Sequence, residues 1–148
     1  MSDELYLKQL ETFYLALADK TRLRLLNLMR ENEVCVCFFT EILGESQPKV
    51  SRHLAYLRNA GIVSARRDGK WMHYKIEVPE DFYMAQILQN TLESLKSKDE
   101  MQANYEKLIS VCCAAEVPAT IARAPKPDAF VEPHTTYKEN EELATFLL

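Results

Sequence analysis

The stretch Glu45-Ser46-Gln47-Pro48-Lys49-Val50-Ser51-Arg52-His53-Leu54-Ala55-Tyr56-Leu57-Arg58-Asn59-Ala60-Gly61 decides the fold. Ser46 is a natural N-cap, because its hydroxyl can accept from a backbone N–H of the first helical turn. Pro48 falls in that turn, where a missing N–H costs little. Val50, Leu54 and Leu57 recur at helical spacing, so a helix from Lys49 to Ala60 has one apolar face. Gly61 then suits the left-handed conformation that ends a helix. Just upstream, a short helix over about 36–43 closes at Gly44 in the same way. Two helices joined by a short turn containing glycine make a helix-turn-helix.

Working outward, the period changes after Gly61. Ile62–Arg67 reads as a strand, Asp68-Gly69 as a tight hairpin turn, and Lys70–Val78 as a second strand ended by Pro79. A two-stranded hairpin directly after such a helix is a wing. On the other side, Leu5, Leu7, Leu10, Phe13, Tyr14 and Leu17 predict a helix over about 4–17, and Asp19 is placed to cap the next one. From Glu80 to about Ser110 the pattern is helical again, broken only by Ser97-Lys98-Asp99-Glu100, so it predicts one long helix or two. The compact core has no evident use for all of that apolar face, which points to a second chain.

The expected architecture is mainly α with a small β-hairpin, a winged helix-turn-helix in the order α-α-α-α-β-β-α. It occupies residues 1–113 and is followed by an acidic, extended or disordered tail, 114–148, punctuated by Pro118, Pro125, Pro127 and Pro133.

Composition narrows the function. A chain of 148 residues, 47% apolar and 27% charged, has the balance of a globular protein. No run approaches ~18 uninterrupted apolar residues, so no membrane span is expected. The acidic start Met1-Ser2-Asp3-Glu4 lacks a secretory pattern, and the expected location is cytoplasmic. The net charge of −4 hides an asymmetry. Between Ser46 and Ile76 stand Lys49, Arg52, Arg58, Arg66, Arg67, Lys70 and Lys75 against the single acid Asp68. A basic module within an acidic chain is what a polyanion would meet.

The expected partner is double-stranded DNA. Gln47, Lys49, Ser51, Arg52 and His53 crowd the N-terminal half of the second helix, the part that enters a major groove in such motifs. Arginine and lysine pair with guanine edges, glutamine with adenine, and serine with base edges or phosphates. Arg66, Arg67 and Lys70 flank the wing's turn and can reach phosphates or a minor groove. The rival reading is a solvated charged face. Trp71 and Tyr74 read as hairpin packing. No catalytic residues are expected, because no anion-binding loop or Cys-x-x-Cys stands beside a βαβ pattern.

Three segments, Glu33-Val34-Cys35-Val36-Cys37, Ser46–Leu54 and Gly69-Lys70-Trp71-Met72-His73-Tyr74, closely resemble the ArsR/SmtB family of metalloregulatory repressors, above all its arsenic-responsive members. The resemblance covers roughly residues 6–95. It implies a homodimer, paired through the first and last helices, that leaves its operator when an inducer binds.

Four cysteines in two tight pairs, Cys35/Cys37 and Cys112/Cys113, are the candidate sensors of a thiol-seeking inducer: arsenite, methylarsenite or antimonite. No permanent cofactor is expected. The family's Cys-x-Cys site usually adds a third cysteine at the position of Thr40, so here the triad is incomplete. Some relatives also carry a vicinal pair like Cys112-Cys113, usually with a further cysteine downstream, which this chain lacks. Each pair thus offers two sulfurs, enough for a methylated arsenical unless another ligand comes from elsewhere. On a regular helix Cys35 and Cys37 would lie ~200° apart, so clasping one ion would unwind the helix start. The alternatives are a divalent metal, thiol oxidation, or cysteines that merely pack as small hydrophobes.

Overall fold

The computed structural model describes residues 2–113 and residue 125; the tail expected over 114–148 otherwise lies outside the described residues. The elements run α1 (Asp3–Leu17), α2 (Lys20–Leu28), β1 (Val34–Cys35), α3 (Val36–Leu43), α4 (Gln47–Asn59), β2 (Val63–Asp68), β3 (Trp71–Ile76), α5 (Phe82–Lys96) and α6 (Asp99–Cys113). This is a winged helix-turn-helix, with two additions to the expected order.

Local chemistry sets the helix boundaries. Ser2, Asp19, Ser46 and Asp81 each cap a helix by accepting a backbone N–H with the side-chain oxygen. Gly44 ends α3 at φ 65°, and its N–H donates to the Thr40 carbonyl at 3.0 Å. Gly61 follows α4 at φ 74°. Both angles would strain a residue with a Cβ. Arg22 adds a tertiary cap: its Nε and Nη2 donate to the Ala16 and Leu15 carbonyls, at 2.8 and 2.9 Å, in the last turn of α1.

The first addition is β1. The sheet has three antiparallel strands in the order β1-β3-β2, because Val34 pairs with Tyr74 and Cys35 with His73. The hairpin turn is also displaced by one residue from its expected place. Asp68 pairs with Trp71, so the two-residue loop is Gly69-Lys70, with positive φ at Gly69 alone. That is the pattern of a turn in which glycine leads. Asp68 is a buried strand residue instead of a turn residue.

The second addition is the break near Ser97, which makes α5 and α6 separate helices. The α6 face bearing Met101, Tyr105, Leu108 and Cys112 is buried within the same chain, packed with the core formed by Leu25, Leu26, Phe38, Phe39, Leu54 and Leu57 among others. It is therefore not surplus apolar surface awaiting a second chain. Polar contacts lock it onto α2 and the residues just after it. Asn27 Nδ2 donates to the Met101 carbonyl at 2.8 Å, Arg30 stacks 3.7 Å from the Tyr105 ring centre, and the Tyr105 hydroxyl donates to Glu31 at 3.0 Å. The large apolar side chains left uncovered lie chiefly on α1 (Leu5, Leu7, Tyr14, Leu15) and around the start of α5 (Val78, Phe82, Tyr83).

Candidate nucleic-acid interface and thiol site

Helix α4 is amphipathic in the way a groove-reading helix must be. Val50, Leu54 and Leu57 are fully buried and hold it on the core, while Gln47, Arg52, Arg58 and Asn59 face outward. The predicted contact residues divide by what else they touch. Gln47 and Arg52 are exposed, and Ser51 is half-buried. Lys49 pairs with Glu45 at 2.9 Å, one turn back. His53 is turned toward α2: its Nδ1 accepts from Arg22 Nη1 at 3.3 Å and lies 3.7 Å from Asp19 Oδ1. Burial pushes the Asp19 carboxyl up, but the backbone N–H bond from Arg22 and the positive surroundings on the α2 and α4 side outweigh it and hold the group below its usual range. His53 is thus occupied by the joint between α1, α2 and α4. Arg22, which sequence reasoning overlooked, also lies 4.1 Å from the Tyr56 ring centre and organises that joint.

On the wing, Arg66, Arg67 and Lys70 are all exposed. Arg67 Nε donates to the Gly69 carbonyl at 3.0 Å, and the Lys70 ammonium sits 5.1 Å from the Trp71 ring centre, so both stay at the turn. Arg66 is engaged differently. Its Nε and Nη2 donate to Glu33 Oε1 at 3.1 and 2.6 Å, which ties the wing to the segment leading into β1. His73, opposite Cys35, is buried with Nε2 3.6 Å from Asp68 Oδ2 and Nδ1 3.9 Å from Glu33 Oε1. Burial and the Arg66 charge press the His73 imidazole toward its neutral form, against the two carboxylates. Glu33 had no local signature and Asp68 carried only a turn signal; strand pairing sets both beside His73.

The first cysteine pair differs from the expected geometry. Cys35 is not on the helix. It ends β1 and serves as the N-cap of α3 in extended conformation, φ −70° and ψ 141°, while Cys37 lies in the first turn. The change of backbone direction, with Cys35 extended and Cys37 in the first helical turn, sets the two thiols near enough to interact, so no helix turn has to unwind first. Cys35 is 0% exposed and Cys37 is partly exposed. Burial pushes the Cys35 thiol up to about 12. Cys37 is also raised by burial, against the pull of its bond to Cys35 and of the Lys70 charge. Thr40, where the family's third cysteine would stand, donates its hydroxyl to the Cys37 carbonyl at 2.8 Å.

Cys112 is fully buried on the core side of α6; only the helical backbone of Cys113 is described. Cys35, Cys37 and Cys112 are in no disulfide. Among the described residues, no three of His, Cys, Asp and Glu form a group that could hold a metal ion, and no helix is long and apolar enough to cross a membrane.

Comparison with known proteins places this arrangement. The family model described as "Bacterial regulatory protein, arsR family" matches residues 19–65, which run from the cap of α2 into β2. The arsenical resistance operon repressor of Escherichia coli K12 is 37% identical over 101 residues, covering 68% of this chain and 85% of that protein. The arsenic resistance transcriptional regulator ArsR1 of Pseudomonas putida is 55% identical over 67 residues, covering 43% of this chain; the match spans about half of that relative, 52%. Among solved structures, Rv0081 of M. tuberculosis is similar with a TM-score of 0.51 and 35% identity, over 64% of this chain and 91% of that one.

Proposed function

The chain belongs to the arsR family of bacterial regulatory proteins, DNA-binding regulators of transcription rather than enzymes, and from that premise we propose that it is a cytoplasmic homodimeric repressor released from its operator when a trivalent arsenical bonds Cys35 and Cys37. The observation that carries the inducer assignment is the placement of the two cysteines at the N-cap and first turn of α3, off a regular helix and close to each other. Similarity to arsenic-resistance regulators supports the same chemistry.

Two sulfurs without a third suit a monomethylated arsenical. Methylarsenous acid, CH3As(OH)2, would exchange both hydroxyls for thiolates: two As–O bonds break, two S–As bonds form, and the two thiol protons leave in two molecules of water. Arsenic stays trivalent throughout. Antimonite and inorganic arsenite share this chemistry but have a third bond to satisfy.

On DNA, α4 would lie in the major groove with Gln47, Ser51 and Arg52 at base edges and Lys49 toward the backbone, while Arg66, Arg67 and Lys70 meet phosphates from the wing. His53 serves the internal joint. A dimer joined through the uncovered faces of α1 and the start of α5 would set two recognition helices ~34 Å apart on an inverted repeat.

The test is fluorescence anisotropy of a labelled promoter fragment, titrated with methylarsenite and with arsenite. Wild type would be compared with the Cys35→Ser/Cys37→Ser and Cys112→Ser/Cys113→Ser variants. Release lost only in the first variant is expected. Release lost only in the second would move the sensor to α6. Release by neither compound from wild type would overturn the arsenical assignment.

A further inference from the structure

Three links stitch the strand that carries Cys35 to the wing. Val34 and Cys35 pair with Tyr74 and His73 of β3. Glu33, the residue before β1, accepts both Arg66 donors from β2. His73, which shares a sheet face with its partners Cys35 and Arg66, is wedged between Glu33 and the buried Asp68. The sheet therefore puts the thiol pair at one edge and the wing's basic residues at the other.

An arsenic atom with its methyl group has no room beside a thiol that is 0% exposed. Overpacking is relieved where the surroundings yield most easily. Helix α3 cannot yield readily, because Phe38, Phe39 and Ile42 are buried in the core directly after the pair. The two-residue strand β1, although Val34 and Cys35 are fully buried, is held to β3 by just two paired positions, and the residue before it is held to β2 by one half-exposed ion pair, Arg66 46% and Glu33 29% exposed. Such an ion pair is worth about fivefold in an equilibrium constant at most. This is the weak boundary.

Resting on the assignment of the inducer to Cys35/Cys37, we propose that the wing is the element through which capture is read out, with Glu33 and Arg66 as positioning residues. Bonding at the pair displaces β1, the displacement passes through the Glu33–Arg66 bridge and the β1–β3 pairing, and the wing leaves the position from which Arg66, Arg67 and Lys70 reach DNA. The recognition helix keeps its core anchors.

Glu33→Gln tests this, because it weakens the bridge while leaving both thiols in place. The readout is the ratio of operator affinities without and with methylarsenite, measured beside the number of thiols that methylarsenite blocks. Wild type should show release of about tenfold or more, within the usual range of coupling between sites. Glu33→Gln should block the same thiols but release at least about threefold less. A merely structural role would move thermal stability without moving this ratio. In wild type, hydrogen exchange at the backbone of His73–Ile76 should quicken on adding methylarsenite, while exchange in α4 should not. Equal release in both proteins, or unchanged exchange in β3 with faster exchange in α4, overturns wing readout and leaves the thiol assignment standing. Methylarsenite uptake kept in Cys35→Ser/Cys37→Ser and lost in Cys112→Ser/Cys113→Ser would overturn the earlier step, the thiol assignment itself.

Discussion

Cys35 and Cys112 are equally buried, yet they are held by structures of different strength. Cys112 is the penultimate residue of a 15-residue helix whose core face is continuous with the main hydrophobic core and whose start is tied to α2 by Arg24–Glu100 and Asn27–Met101 contacts. Cys35 ends a two-residue strand on the edge of a small sheet. On the proposed assignment, burial alone would not distinguish a structural cysteine from a sensing one. What distinguishes them is how much of the fold must move to admit a ligand. At Cys112 it is a whole helix; at Cys35 it is a short edge strand leading directly to the wing.

The largest expected effect tests the strong side of that contrast. Leu108 is 1% exposed on α6, and Leu108→Ala should cost about 2–5 kcal/mol through lost burial and a residual cavity. Urea denaturation measures it. A loss under ~1 kcal/mol would mean α6 is not docked as described.

The next prediction concerns the weak side and pH. Burial raises the Cys35 thiol from 9.0 to about 12, so the folded protein favours the protonated form. A raised folded-state value stabilises fully below the unfolded value, and the benefit is lost as pH climbs from about 9 through 12. The contribution at stake over that whole window is on the order of 4 kcal/mol. Chemical denaturation of wild type and Cys35→Ala from pH 8 to 11 should show the two curves converging toward high pH. Parallel curves would remove the claim that Cys35 is buried as a neutral thiol.

Asn27 returns to the α6 side. Its Nδ2 donates to the Met101 carbonyl, and both residues are buried. Asn27→Ala leaves that carbonyl without this donor and should cost about 2 kcal/mol, within the usual penalty for an unpaired buried polar group. Thermal melts with the Leu108 variant as a reference would check the ranking.

Much of this was legible in the sequence wherever the cause was local. Ser46, Pro48, Gly44 and Gly61 punctuate the helix-turn-helix through caps and turns that need only neighbouring residues. The misreadings share one origin, which is that pairing across the chain leaves no local trace. Two residues are too few to show alternation, so β1 leaves no signal, and the Cys35/Cys37 geometry can only be reasoned from a regular helix that Cys35 does not join. Asp68-Gly69 carries a strong turn signal, yet register with Trp71 and the buried contact with His73 moved the loop on by one residue. The α6 pattern announced an apolar face but not what would cover it. Within the candidate interface, the residue types of α4 were readable, while the diversion of His53 to Arg22 and of Arg66 to Glu33 depended on partners far away in sequence.

The smallest expected effect on stability is the one that sharpens the comparison most. The Glu33–Arg66 bridge joins a half-exposed arginine to a partly exposed carboxylate, and water screens such a pair strongly. Glu33→Gln should therefore lower stability by less than about 1 kcal/mol, well below the Leu108 or Asn27 substitutions, as urea titration would show. If the same change nonetheless reduces inducer-driven release of DNA, stability and coupling reside in different parts of this fold. The α6 clamp then keeps the domain folded, and the Glu33–Arg66 bridge, contributing little to folding, carries the coupling from the thiol pair to the wing. A stability loss as large as that of Leu108→Ala would instead make Glu33 part of the scaffold, and the contrast between the two cysteine regions would collapse.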